Sequence, residues 1–327
     1  METIIPPRLK RGDTIRVIAP SRSMAIISEE TRRIADENFA KLGLNITFST
    51  HVEEVDFAAS GSVASRVEDL HEAFVDPEVK AIFTTIGGFN SNQLLEHLDW
   101  ELIRRHPKIL CGYSDITVLA NAILARTGLQ TYYGPHYSTL GQKILDPYTV
   151  YYVKKCLFED GAFTVEPSAE WTDDAWYLDQ DARRPIANNG HWVIQEGEAE
   201  GVIMGGNQCT LNLLQGTPYM PVAQRDVVLL LEDDGIVDLV NFDRDLESLL
   251  QTELGRRTKG MVIGRFQNES KISRQDIEET IRRKPQLQGL PVIANADFGH
   301  TNPMITFPIG GTARLSVGSE VVLEVAL

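Results

Sequence analysis

Hydrophobic positions along the chain change period again and again. Asp13 to Ala19 is a β-branched run ending in Pro20-Ser21, and from Ser28 the apolar residues Ile34, Phe39 and Leu42 recur at helical spacing until Gly43. A strand over 45–49, a helix over 64–74 and a strand over 80–85 follow. The last of these breaks into T-T-I-G-G-F-N, with a short helix predicted over 92–98. Ile109 to Cys111 is a further buried strand, and apolar spacing at Ile116, Leu119, Ala120, Ile123 and Leu124 marks the next helix. Strand and helix thus alternate through the first half. The pattern predicts an α/β fold with a doubly wound parallel sheet, in which ligands meet the strand ends.

After a strand over 129–133 and a helix over 147–158, periodicity fades. Residues 163–192 hold three of the four tryptophans (Trp171, Trp176 and Trp192), many acids, and Asn188-Asn189-Gly190. So long an irregular stretch is a linker or a functional loop. Order resumes with A-E-G-V-I-M-G-G-N, a helix over 208–215 and the apolar strand Asp226 to Leu231, which stops abruptly at Glu232-Asp233-Asp234-Gly235. Helices over 239–250 and 273–283, strands over 260–263 and 291–294, and short β runs close the chain. The expected division is an N-terminal α/β domain (1–162), a linker with a substrate loop (163–192) and a C-terminal α/β domain (193–327) with a β-rich end.

Composition narrows the partners. With 31 Lys+Arg against 46 Asp+Glu, the net charge of −15 disfavours nucleic acid and anionic membranes, leaving a small molecule or peptide as the expected ligand. The opening M-E-T-I-I-P-P-R does not read as a secretory signal, and no run approaches the ~18 apolar residues of a membrane span, so a cytoplasmic protein is expected. Cys111, Cys156 and Cys209 are widely spaced and odd in number, which fits reduced thiols rather than a disulfide framework or zinc site.

Chemistry concentrates at three strand ends. Ser114 lies on a sharp strand-to-helix turn, where a hydroxyl is pushed out above the sheet and free backbone N–H groups point towards it. Ser114-Asp115 could equally be an ordinary helix cap, because the hydrolase elbow G-x-S-x-G is incomplete here, with Ile116 in place of the second glycine. Gly87-Gly88 offers unobstructed N–H groups and could form half of an oxyanion hole, a phosphate turn, or a plain turn. Of the seven histidines, His300 in N-A-D-F-G-H-T-N-P is best placed as a base, with His136 a weak second. Glu232, a charge that ends an apolar strand, is the candidate to orient that base, unless it merely opens a solvated acidic turn. No metal-binding motif accompanies these residues.

The pieces I-G-G-F-N-S-N, C-G-Y-S-D-I-T, M-G-G-N-Q-C-T-L, G-T-P-Y-M-P, L-L-L-E-D-D and F-G-H-T-N-P together resemble the LD-carboxypeptidase family of serine peptidases, which includes the microcin C self-immunity branch. The resemblance covers nearly the whole chain. It implies a flavodoxin/Rossmann-like N-terminal domain joined to a C-terminal domain with a swivelling β-rich core, usually as a homodimer. It also implies Ser114 as nucleophile, His300 as general base and then acid, Glu232 as the residue orienting it, and the N–H groups of Gly88 and Asp115 as the oxyanion hole. No cofactor or metal is implied. One branch of the family releases D-alanine from murein tetrapeptide; the other hydrolyses aminoacyl-nucleotide analogues and stacks a loop tryptophan on the base. The Trp-bearing segment is closer to the second branch, which would assign the stacking position to Trp176, with Leu178 equally near it by count. A binding protein that has lost its chemistry is the remaining alternative.

Overall fold

The structure is a computed structural model describing residues 3–327; Met1 and Glu2, with which the N-terminal signal reading begins, lie outside the described residues. Five strands, β1 (Thr14–Ile18), β2 (Asn45–Phe48), β3 (Val79–Thr84), β4 (Ile109–Gly112) and β5 (Thr131–Tyr133), form a parallel sheet in the order β2-β1-β3-β4-β5. This is the doubly wound order that the alternating pattern predicts, with its reversal between β1 and β3. Helices Glu29–Leu42, Val63–Val75 and Ile116–Thr127 cover it. β4 is buried along its whole length, as an apolar strand covered on both faces must be.

The second sheet has eight strands. In chain order they begin with β6 (Ala162–Thr164); a two-residue ribbon, β7 (Glu170–Trp171) with β8 (Ile186–Ala187), stands apart from the sheet. Then come β9 (Trp192–Gln195), β10 (Gly197–Asn207), β11 (Val227–Glu232), β12 (Thr258–Gly264) and β13 (Val292–Ala296). β14 (Phe307–Ile309), β15 (Thr312–Val317) and β16 (Val321–Ala326) complete the chain. The sheet order is β6-β16-β15-β10-β11-β12-β13-β9, with a parallel centre from β10 to β13 and antiparallel strands at both sides. β14 instead adds antiparallel to β5, so the end of the chain closes the edge of the first sheet.

The two sheets are not separate bodies. One apolar cluster joins Ile15, Phe83 and Tyr133 of the first sheet to Ile203, Leu230 and Leu323 of the second. The M-G-G-N stretch at the end of β10 fixes the contact: Asn207 N–H donates to Thr117 Oγ1 at 2.9 Å and Asn121 Nδ2 donates to Gly205 O at 2.8 Å. Gly206 has a φ of +116°, and a Cβ there would lie 2.6 Å from Thr117 Oγ1. Only glycine permits this approach.

Polar anchors hold down the irregular segment. Asp297, fully buried, pairs with buried Arg265 and accepts the N–H and Oγ of Ser168, each at 2.8 Å. Trp171 lies with its ring 4.9 Å from the Arg265 guanidinium carbon, and Trp192 belongs to β9 at the sheet edge. Two of the three tryptophans in the segment are therefore packing anchors. Two expected helices differ: 92–98 is a 3₁₀ turn over Ser91–His97, and the helix from Gln208 ends at Asn212. The latter stops because Leu213 to Thr217 turns on successive short bonds before Pro218. Cys111, Cys156 and Cys209 are free thiols.

Removing Asp297 leaves the Arg265 charge buried without its partner. Asp297→Ala is expected to lower the unfolding free energy by about 3–5 kcal/mol in urea titrations. A loss below about 1 kcal/mol would show that this buried pair is not an anchor.

Candidate active site

β4 ends at Gly112, and the chain turns into the helix Ile116–Thr127 within three residues. Ser114 occupies the turn with a φ of +58°, the left-handed region that non-glycine residues avoid. Holding it there costs roughly 1–3 kcal/mol, so surrounding structure must enforce it. The capping alternative fails on inspection. Asp115 stands at the cap position but makes no side-chain cap bond. Its buried carboxylate instead accepts Ser21 Oγ at 2.6 Å and the N–H groups of Asn90 and Ser91 at 3.0 and 2.9 Å. The elbow and the Gly87-Gly88 loop are thereby tied together.

The structure brings Ser114, His300 and Glu232 into one relay. His300 Nε2 lies 3.0 Å from Ser114 Oγ, and His300 Nδ1 lies 2.8 Å from Glu232 Oε2. A carboxylate can only accept, so Nδ1 carries the proton and Nε2 is free to take one from Ser114. Glu232 ends β11 with no solvent exposure. Glycines make room for it: a Cβ on Gly299 would stand 2.7 Å from Glu232 Oε2, and one on Gly264 would stand 2.8 Å from Glu232 Cβ.

Electrostatics favour a basic imidazole. Burial opposes the charged form of His300, yet the charge and hydrogen bond of Glu232, helped by Asp234, outweigh it and raise the pKa above the usual 6.5. Burial first, and then the charge of Glu232, push Asp233 up to about 8. Asp233 is therefore mainly protonated at neutral pH, and the carboxylate bonded to the imidazole is that of Glu232. Asn207 Nδ2 donates to Asp233 Oδ1 at 3.2 Å, connecting Asp233 to the M-G-G-N end of β10.

Ser114 and His300 open into a cavity of about 420 Å³ that Gly87, Gly88, Arg22 and Trp176 also line. Among the described residues, no protein acceptor takes the N–H of Gly88 or Asp115. Gly88 lines the cavity, so its N–H is open to a ligand oxygen, whereas Asp115 is 2% exposed and is not among the lining residues. Trp176 and Tyr177 line the cavity, whereas Leu178 is 78% exposed and lies outside the lining.

Other residues of the wall have roles that the sequence pattern left open. His136, rated weak, is buried in the cavity wall with Thr84 Oγ1 2.6 Å from Nδ1 and no partner on Nε2. Burial, then the nearby His300, drives its pKa to about 3, so it stays neutral. Its position after Gly134-Pro135 at the end of β5 was the available signal. Asp234, Gln267 and Glu269 line the opposite side. The remaining histidines lie elsewhere: His51 bonds Asp69, and His71 accepts the Asp99 N–H. No group of three or more His, Cys, Asp or Glu among the described residues is arranged to hold a metal ion. No helix among them is long and apolar enough to cross a membrane.

Residues 15–134 match the LD-carboxypeptidase N-terminal domain and residues 200–315 the LD-carboxypeptidase C-terminal domain. The chain is 52% identical over 308 residues to a Bacillus subtilis (strain 168) protein named "Putative carboxypeptidase YocD", covering 94% of each chain. It is 28% identical over 309 residues to the murein tetrapeptide carboxypeptidase of Pseudomonas aeruginosa, covering 92% of each. The crystal structure of an MccF-like protein from Bacillus anthracis str. Ames superposes with a TM-score of 0.97 at 51% identity, covering 99% of both chains. The microcin C7 self-immunity protein MccF in complex with aspartyl sulfamoyl adenosine superposes with a TM-score of 0.89 at 27% identity, covering 99% of this chain and 98% of that one.

Labelling by a serine-directed phosphonate reads this site directly. Neutral His300 is the form that accepts the Ser114 proton, so the labelling rate is expected to fall as pH drops through an inflection above 6.5. Glu232→Gln removes the charge that raises this pKa and is expected to slow labelling and move the inflection downwards; an unmoved inflection would contradict the pairing. Gly87→Ala places a Cβ 2.9 Å from Ser114 Oγ and is expected to abolish labelling while circular dichroism stays unchanged.

Proposed function

The chain belongs to the LD-carboxypeptidase family, and from that premise we propose that it is a serine-type amide hydrolase acting through an acyl-enzyme, with Ser114, His300 and Glu232 as its triad. The observation that carries this reading is the strained Ser114, held 3.0 Å from an imidazole that is itself held 2.8 Å from a buried carboxylate. Ser114 Oγ attacks the substrate carbonyl carbon as His300 Nε2 takes its proton. The oxyanion rests between the N–H groups of Gly88 and Asp115, and loss of one such donor costs about 10²–10³ in turnover. His300 then passes the proton to the leaving nitrogen as the carbon–nitrogen bond breaks. Water, deprotonated by His300, attacks the acyl-serine; Ser114 leaves with the proton and the acid product is released. Glu232 keeps the imidazole in the required tautomer throughout. No cofactor is invoked.

The substrate assigned to this site is an aminoacyl-nucleotide analogue. Two things support it: the overall likeness to MccF in complex with aspartyl sulfamoyl adenosine, and the placement of Trp176 and Tyr177 on the cavity wall, where an indole can stack on a base. The second reading is release of D-alanine from murein tetrapeptide, supported by the relative from Pseudomonas aeruginosa. A homodimer and a cytoplasmic location belong to the same proposal.

A mass-spectrometric assay offering both compounds separates the readings. Release of the adenosine-containing fragment is expected, reduced by about 10⁴-fold or more in Ser114→Ala. Release of D-alanine alone would transfer the assignment to the murein reading. Turnover unaffected by Ser114→Ala would contradict the triad.

A further inference from the structure

Arg22 lies in the loop after β1, beside the point where the order of the first sheet reverses between β1 and β3. Strand ends diverge at such a point and leave a crevice for ligands. Its side chain lines the same cavity as Ser114 and Gly88. A Cβ on Gly88 would stand 3.0 Å from Arg22 Cγ, so the arginine stem packs directly beside the proposed oxyanion donor. The backbone there is pinned: Thr85 Oγ1 donates to Arg22 O at 2.9 Å, and Arg22 forms a β-bridge with Ser60.

The guanidinium is what stands out. Acids outnumber bases 46 to 31 in this chain, yet among the described residues no carboxylate pairs with Arg22 and no side-chain hydrogen bond uses its guanidinium. Its one recorded side-chain contact is the face of Phe89, with the guanidinium carbon 5.5 Å from the ring centroid. Neighbouring Arg66 shows what a structural arginine does here: it donates to Pro20 O, Asn90 O and Gln93 Oε1. Among the described residues Arg22 is also the only lysine or arginine on the cavity wall. The other formally charged residues there, apart from the two histidines, are Asp173, Asp174, Asp234 and Glu269, and Asp174 is already paired with Arg183.

We propose that Arg22 is a carboxylate-binding residue of this site, receiving a carboxylate of the substrate beside the Gly88 N–H. A planar fork of donors suits a carboxylate, and in a cavity whose other permanently charged lining residues are all acids it is the one place where that group meets an opposite permanent charge. The proposal rests on the hydrolase reading above. That carboxylate has two sources, an acidic side chain on the acyl part or the free C-terminus of a peptide. Arg22 therefore discriminates among substrates rather than taking part in bond breaking.

Binding measurements on Ser114→Ala protein, which holds substrate without turnover, test this with two matched pairs. One pair is aspartyl and asparaginyl sulfamoyl adenosine; the other is murein tetrapeptide as free acid and as C-terminal amide. In one pair the acid is expected to bind more tightly by roughly 10-fold to 10²-fold. Adding Arg22→Gln should erase that preference while leaving the neutral member's affinity unchanged, and Arg22→Lys should restore part of it. The pair that responds identifies the source of the carboxylate. Absence of any acid preference, a preference that survives Arg22→Gln, or an equal loss for both members would overturn the assignment. Failure of the unmodified protein to hydrolyse either acid is a separate result that rejects the hydrolase reading, since the affinities are measured without turnover.

Discussion

A single hydrogen bond, 3.0 Å from His300 Nε2 to Ser114 Oγ, sets the terms for the rest of the structure. Its two ends come from different sheets and lie 186 residues apart, so the bond exists only if both halves dock in one arrangement. The M-G-G-N end of β10 supplies that arrangement. It packs against Thr117 and Asn121 on the helix that follows the elbow, and through Asn207 it reaches the acid pair beside Glu232. The same short stretch thus positions the helix behind the nucleophile relative to the strand end that carries the acid.

Strain and burial share one logic. Ser114 sits in a conformation that disfavours a side chain, and Glu232 is a carboxylate with no access to water. Each is held by neighbours that leave no alternative: the Asp115 carboxylate braces the Gly87-Gly88 loop, and Gly264 and Gly299 clear the volume that Glu232 fills. Burial also decides protonation. It pushes Asp233 towards its neutral form and His136 to about 3, leaving His300 and Glu232 as the pair between which charge can form.

Much of this was legible because local signals coincide with strand ends. The alternation of periods corresponds to the doubly wound sheet, and abrupt breaks at Gly112, Glu232 and the D-F-G-H loop mark where polar side chains leave the core. Less was legible where meaning depends on distant partners. The Asp115 side chain has a role that no cap rule predicts, because the donors it accepts from belong to Ser21, Asn90 and Ser91. His136 read only as a weak alternative base, because its burial beside Ser114 depends on the assembled sheet. The Trp-bearing segment has no period at all: Trp171 packs on Arg265 and Trp192 joins a sheet edge, while Trp176 lines the cavity. Nothing local distinguishes the three. Likewise, the addition of Phe307–Ile309 to the first sheet is a long-range pairing with no sequence signature of its own.

The central claim is that Ser114 Oγ carries the acyl group between the two halves of the reaction. It is tested most directly by quenching the protein in acid during turnover of aspartyl sulfamoyl adenosine and mapping the covalent adduct by peptide mass spectrometry. The account predicts an aspartyl ester on the peptide containing Ser114, absent from Ser114→Ala. Product formation with the adduct on another residue, or undiminished in Ser114→Ala, would contradict it.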